Sequence, residues 1–361
     1  MNRPRVVHIV PNLFGYEGVY GGAERFALEL ARAMAERLPT TLVAFGATPI
    51  SRRDGSLRVE VVRNLVPYRR FRFDPIGPMM IPHISKSDVI HYHQTHTMMA
   101  SVALLLGRLT GRRVFTTHLG GGGFGLHRII NVDKWYDGHL HISQFSREIF
   151  GHAVSHNAGV IYGGVDVQRF SPGILPPSRD YVLYVGRLLP HKGIDYLIEG
   201  IPPDIPLIIA GRPMRHAAKY YTLLHELAQG KNVQFVQDAD DERLIQLYRN
   251  ARCIVLPSVY QSRDGAKHSI PELLGLTLIE GMACGTPGIC TSVASLPEVV
   301  ENGVSGFVVP PNNPVALSKA ITALWSDSSL VHRMGDAARR RVLDMFTWQA
   351  VVDRCLHWYG V

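Results

Sequence analysis

Pro271-Glu-Leu-Leu-Gly275-Leu-Thr-Leu-Ile-Glu280-Gly-Met-Ala-Cys-Gly285-Thr-Pro287 places two carboxylates, Glu272 and Glu280, eight positions apart around a glycine turn. Gly275-Leu276-Thr277 reads as a glycine entry into a helix, and Gly285 and Pro287 stop that helix. The first amides of such a helix have no intrahelical partner and carry the positive end of its dipole, so they suit an anion, and a diphosphate fits. Glu280, one turn further in, could accept both hydrogens of a vicinal diol such as a ribose. Glu272 precedes the helix and faces whatever lies beyond the phosphates. The competing reading is a surface helix with flanking acids.

A second element bears on that choice. In Val185-Gly186-Arg187-Leu-Leu-Pro-His-Lys192-Gly-Ile-Asp-Tyr-Leu a buried-type strand runs into a loop with two cations. Arg187 offers a planar fork and Lys192 a mobile point charge, both suited to phosphate; by themselves they also read as solvated loop cations. Taken together, the two elements favour a nucleotide diphosphate site.

Outward from these segments, apolar runs bounded by turn residues alternate with helical patterns, which predicts parallel sheets in α/β domains. Expected strands in the first half are Val6 to Val10, Thr41 to Phe45, Val59 to Val62, Val89 to Tyr92, Val114 to Thr117 and Leu140 to Ser143, with a first helix from Gly22 to Arg37. The second half restarts the pattern at Tyr181 to Val185, Leu207 to Ala210, Val233 to Val236, Cys253 to Leu256, Gly288 to Thr291 and Phe307 to Val309. The Pro- and Gly-rich stretch from Gly163 to Arg179 reads as an interdomain linker. A chain of 361 residues has room for two cores. Both cations and both glutamates fall at or beyond the carboxyl edge of the second set of strands, where open α/β sheets bind ligands.

Four features together resemble the family 4 retaining glycosyltransferases. They are Gly21-Gly22-Ala23-Glu24 opening the first helix, Thr117-His118 ending a strand, Arg187 with Lys192, and Glu272 with Glu280 followed by Gly-Met-Ala-Cys-Gly-Thr-Pro. The resemblance extends to Phe346-Thr-Trp348 before a last helix, about Thr347 to Tyr359. It implies a GT-B fold: two Rossmann-like domains facing across a cleft, with a C-terminal helix crossing back to the N-terminal domain. The expected domains are 1–165 for the acceptor, 166–345 for the nucleotide sugar, and 346–361 as the terminal helix.

The resemblance further implies transfer of a sugar from a nucleotide diphosphate sugar to an acceptor hydroxyl with retention, without metal or other cofactor, in cell-surface polysaccharide or glycolipid synthesis. His118, Glu272, Arg187 and Lys192 are the expected catalytic set. Gly21, Gly22, Gly186, Gly275, Leu276, Thr277 and Glu280 are expected on the donor. Cations and bare amides aimed at the leaving diphosphate supply the electrostatic stabilisation. In the family's scheme the leaving phosphate takes the acceptor proton, His118 contacts the donor sugar, Glu272 holds sugar hydroxyls and Glu280 binds ribose. Two other readings stay open: a nucleotide-sugar epimerase of the same fold, and a catalytically silent subunit.

Three departures from the family pattern stand out. Val259 to Pro271 is longer than the usual passage to the first glutamate, Leu119 follows His118 where aspartate is frequent, and Leu274-Gly275 replaces Phe-Gly. Gly120-Gly-Gly122-Gly-Phe-Gly125 formally satisfies G-x-G-x-x-G, yet no helix and acid follow as a dinucleotide site requires. His91, His93 and His96 have metal-like spacing, but no carboxylate in that segment completes a site, so no metal is expected there.

Residues 1–170 hold 20 Lys+Arg against 12 Asp+Glu, and residues 171–361 hold 18 against 18, so the net +8 sits in the first half. With Arg63-Asn-Leu-Val-Pro-Tyr68-Arg69-Arg70-Phe71-Arg72-Phe73, this suggests an anionic acceptor or peripheral contact with an anionic membrane. No nucleic-acid module accompanies the patch. Cys253, Cys284, Cys290 and Cys355 read as reduced, buried thiols of a cytoplasmic protein, and the absence of a long apolar run predicts a soluble one. Base, sugar and acceptor leave no trace in the sequence.

Overall fold

The computed structural model describes residues 3–13, 22–65, 74–120, 125, 130–174, 176–214 and 217–361. Gly21, most of the basic aromatic segment (66–73) and most of the glycine-rich loop (121–124) lie outside the described residues. The chain divides into two compact units, Met1–Gly164 with Trp348–Val361, and Val165–Thr347.

The first unit runs β1 (Val6–Leu13), α1 (Gly22–Ala35), β2 (Thr40–Gly46), β3 (Ile50–Asp54), β4 (Leu57–Arg63), α2 (Ile81–Ser85), β5 (Val89–His93), α3 (Met98–Leu109), β6 (Arg113–Thr117), β7 (Gly138–His141), α4 (Gln144–Ile149) and β8 (Ala158–Val160). The sheet order is β3-β4-β2-β1-β5-β6-β7-β8, parallel throughout except for the antiparallel β3–β4 pair. β1 is buried on both faces, as parallel strands covered by helices must be. Val7 and Ile9 join one core with Val43, Ile90, Tyr92 and Leu104. On the other face Val10 packs with Ala27, Ala31, Leu42 and Ala44.

The structure corrects several sequence expectations. β3, Ile-Ser-Arg-Arg-Asp, has no apolar alternation and was not expected; its four exposed residues protect a sheet edge with charge. β8 is too short to register as an apolar run. The strand expected at Leu140 to Ser143 ends at His141, because Ser143 is the N-cap of α4, accepting from the Ser146 amide at 2.9 Å in a capping box. The first helix stops at Ala35 rather than Arg37.

The second unit contains β9 (Tyr181–Val185), α5 (Ile194–Gly200), β10 (Leu207–Ala210), α6 (Ala218–Leu227), β11 (Val233–Val236), α7 (Asp241–Asn250), β12 (Ala251–Leu256), α8 (Leu276–Ala283), β13 (Gly288–Thr291), α9 (Leu296–Val299), β14 (Gly306–Val309), α10 (Pro314–Ser326) and α11 (Ser328–Met345). Its sheet order, β11-β10-β9-β12-β13-β14, is all parallel and reads 3-2-1-4-5-6 within the unit, the doubly wound order. The order reverses between β9 and β12. The loops leaving these two strands carry Lys192 and Glu272.

The last helix, α12 (Trp348–Tyr359), belongs to the first unit. Phe26 of α1 meets Trp348 edge-on at 5.6 Å, and Trp358 lies so close over β8 that a Cβ on Gly159 would stand 2.2 Å from its ring. The four cysteines are free and buried.

Candidate active site

Lys192 ends a short 3-10 turn, Pro190–Lys192, just beyond β9. The next residue, Gly193, has φ +64°, and a Cβ there would sit 2.0 Å from the carbonyl oxygen of Pro257. Only glycine meets both demands, a left-handed backbone and contact with another main chain. The loops after β9 and β12 are thereby pressed together, and the Val259 amide donates to the His191 carbonyl at 2.9 Å.

That contact brings the predicted cation and acid together. Lys192 Nζ donates to Glu272 Oε1, with each side chain only 11% exposed. Ser258 Oγ donates to the same carboxylate oxygen at 3.1 Å, and Thr291 Oγ1 fixes the Ser258 carbonyl at 2.6 Å. Tyr184 lies buried beneath; burial first, then the Glu272 charge, pushes its phenol well above its usual range. Its hydroxyl donates to the Arg187 carbonyl at 3.0 Å and shapes the loop from which the exposed Arg187 side chain projects. Burial, then the neighbouring Lys192 charge, lowers the His191 imidazole to about 3, so it adds no positive charge near neutral pH.

Gly275, at φ +84°, is the N-cap of α8 and supplies no side-chain hydrogen bond. The amides of Leu278 and Ile279 turn back to the Gly275 carbonyl, at 3.0 and 3.4 Å. The amides of Leu276 and Thr277 precede this closure, at the uncapped positive end of the helix. One turn in, Glu280 is buried, and Tyr248 of α7 donates to its Oε2 at 2.7 Å.

The long passage from Val259 to Pro271 folds back on itself through an antiparallel bridge between Gln261 and Lys267. Arg263 at its tip reaches α5, with Nε 3.1 Å from Asp195 Oδ2 and Nη2 on Glu199. Asp195 is 1% exposed and also accepts from Tyr220 at 2.8 Å. The insertion is therefore fastened to the helix that follows Lys192. It borders an open cavity of about 510 Å³ with Tyr196, Glu199 and Asn312, separate from the Lys192–Glu272 pair.

Comparison with known proteins decides the family. A model described as Glycosyltransferase Family 4 matches residues 20–169, and one described as Glycosyl transferases group 1 matches residues 168–341. The chain belongs to the family 4 glycosyltransferases. Among the relatives of this chain is a D-inositol 3-phosphate glycosyltransferase from Mycolicibacterium gilvum, 30% identical over 58% of this chain and 48% of that protein. An uncharacterized glycosyltransferase from Methanocaldococcus jannaschii is 27% identical over 56% of this chain and 53% of that one. The chain thus spans about half the length of the curated relatives it matches.

Solved structures give the fold. A glycosyltransferase from Rickettsia africae superposes with a TM-score of 0.75 at 19% identity, over 100% of this chain and 98% of that one. Anabaena HepE in complex with UDP and glucose superposes with a TM-score of 0.73 at 18% identity, covering 99% of both chains. The architecture is GT-B, two parallel-sheet α/β domains.

In the first unit, His118 follows β6, is 3% exposed and stacks on Phe150 at 4.0 Å. Burial drives its imidazole well below its usual range, which keeps it neutral near neutral pH. Gly22 opens α1 and is exposed, with no atom of the described residues within 4 Å of where a Cβ would stand. The trio His91, His93 and His96 does not assemble. His96 meets His118 edge-on at 4.3 Å, while His91 and His93 share a sheet face with His8, invisible to local spacing because β1 and β5 are distant in sequence. Ser258, Tyr184, Tyr248 and Gly193 escaped sequence reasoning as well: each acts through a partner that only the strand order brings near.

Proposed function

We propose that the chain transfers a glycosyl group from a nucleotide diphosphate sugar to an acceptor hydroxyl with retention of anomeric configuration, without a metal at the donor phosphates. The observation that carries this reading is the Lys192–Glu272 pair beside the uncapped N-terminus of α8, at the point where the strand order reverses. In this reading the diphosphate lies against the Leu276 and Thr277 amides, with Lys192 and the exposed Arg187 as counter-charges. Glu280, steadied by Tyr248, takes the ribose hydroxyls.

The bond from the anomeric carbon to the β-phosphate oxygen breaks and its electron pair stays on that oxygen. Lys192, Arg187 and the helix amides stabilise the charge as it forms. The acceptor oxygen bonds to the anomeric carbon on the same face, and its proton passes to the departing phosphate oxygen. Glu272, held in place by Ser258, stabilises the cationic sugar and orders its hydroxyls. The family pattern assigns His118 to the donor sugar and Gly21 and Gly22 to the donor phosphates, and this reading keeps those assignments.

A UDP-sugar is the first donor to test, since HepE structures hold UDP and UDP-glucose. An anionic acceptor is supported by the +8 charge carried in the first half and by a phosphate-bearing acceptor in the names of several relatives. Cell-surface polysaccharide or glycolipid synthesis at the inner membrane face is the proposed setting. No helix among the described residues is long and apolar enough to cross a membrane, so this reading needs only peripheral contact. The experiment is a thermal-shift panel of UDP-, GDP-, ADP- and TDP-sugars, followed by product NMR with the stabilising donor. A glycoside with the donor's anomeric configuration supports the proposal; an inverted glycoside, or an isomerised sugar without a glycoside, overturns it.

A further inference from the structure

We propose that Asp133, His139 and His152, in the first unit and outside the donor chemistry, form a binding site for a divalent transition metal of the zinc class. One ligand atom from each residue lies within 4.8 Å of the other two. The three come from separate segments: the 3-10 turn Asp133–Trp135, strand β7, and the turn after α4. His139 and His152 are 1% and 6% exposed, yet Nδ1 of His139 and Nε2 of His152 have no hydrogen-bond partner among the described residues. A polar atom left without a partner in such a place destabilises the fold, and metal ligation would remove that cost.

The second nitrogen of each ring is already engaged as a metal ligand's usually is. His139 Nε2 lies 3.0 Å from the Asp133 carbonyl oxygen, an acceptor only, so the proton sits on Nε2 and the Nδ1 lone pair is free. His152 Nδ1 pairs with His141 Nε2 at 2.9 Å. His152 Nε2 and Asp133 Oδ2 face each other at 3.8 Å, an ion-pair distance that is long for a well-formed hydrogen bond. Zinc bonds of about 2.0–2.2 Å in tetrahedral geometry set donors roughly 3.4 Å apart, so this pair needs to close by only a few tenths of an ångström. Two imidazoles and a carboxylate suit zinc and its neighbours in the first transition row. The Asp133 side chain is 42% exposed, which leaves an entry path and room for a water as fourth ligand.

The other histidine trio shows by contrast what disfavours a metal. His8 Nδ1 and His93 Nε2 bond each other at 2.9 Å, and although their other nitrogens lack a partner among the described residues, His91 spends both of its nitrogens on Tyr359 and Thr117. All three are sealed, with no carboxylate. The Asp133 site would clamp the turn, β7 and the end of α4, whose neighbour Phe150 stacks on His118.

The test uses the full chain with any affinity tag removed, stripped by chelator and titrated with Zn²⁺ by calorimetry, alongside thermal melts and the visible spectrum of the Co²⁺ form. The expected result is one strong equivalent, a raised melting midpoint and a tetrahedral Co²⁺ spectrum. Asp133→Asn and His152→Gln should each weaken binding by more than the roughly 10- to 100-fold that loss of an outer partner costs. His93→Gln should bind as wild type does. Asp133→Asn alters a half-exposed side chain, so its fold is checked by circular dichroism and it serves if His152→Gln fails to fold. Absence of a strong equivalent in wild type overturns the proposal, as does binding that survives in Asp133→Asn or is lost in His93→Gln.

Discussion

His8 sits at 0% exposure on the face of β1 that carries His91 and His93 from β5, and burial lowers its imidazole to about 3. Burial also holds His91 and His93 well below the ordinary value of 6.5, each with a smaller contribution from neighbouring imidazoles. In the unfolded chain all three titrate normally, so the unfolded state binds more protons as the medium acidifies. The stability conferred by a neutral, buried His8 is complete above about pH 7, falls as pH drops through 6.5, and stops falling only near the folded value of about 3. At about pH 5 the His8 contribution alone is a loss of about 2 kcal/mol, from 1.36 kcal/mol per unit over roughly 1.5 units. His91 and His93 add losses of the same sign, against a total stability of only about 5–15 kcal/mol for a typical domain. The assay is urea unfolding at pH 7.5 and pH 5.0, followed by tryptophan emission, for wild type and His8→Leu. Wild type should lose about 2 kcal/mol more than His8→Leu between these conditions. Equal pH dependence of the two proteins would refute the reasoning.

Gly193→Ala forces a left-handed alanine into the Pro257 carbonyl; it should lower stability by roughly 2 kcal/mol or more by thermal melt and separate Lys192 from Glu272, reducing turnover. Arg263→Ala leaves Asp195, 1% exposed, with Tyr220 as its remaining side-chain partner, and should cost roughly 2–3 kcal/mol in urea unfolding, less than a fully buried pair because Arg263 is 40% exposed. Vesicles with anionic lipid should sediment the protein at low salt and release it at high salt, and neutral vesicles should not.

The second unit was the more legible half. Tyr181–Val185, Leu207–Ala210, Val233–Val236 and Gly288–Thr291 are apolar runs with sharp turn boundaries, and the strands begin and end where those runs do. Glu272, Glu280, Arg187 and Lys192 stood out by residue type and local spacing, and the fold brings Lys192 onto Glu272. Partners across the fold were not. Tyr248 is 32 residues from Glu280, and His8 is 85 from His93, so only the sheet order joins them. Nothing local marks Gly193, because the reason for a glycine there, the Pro257 carbonyl at 2.0 Å from a Cβ, belongs to another strand's loop. β3 escaped because an exposed edge strand carries charge where the alternation would otherwise show.

The central claim is that Lys192 and Glu272 act on a nucleotide diphosphate sugar. The most direct measurement is single-turnover glycosyl transfer from the preferred donor by wild type, Lys192→Ala and Glu272→Gln, each shown to be folded. Removal of one preorganised charge from a transition-state site costs about 10²–10³ in rate, and each variant should fall by that much. Transfer at near wild-type rate in both variants would contradict the account.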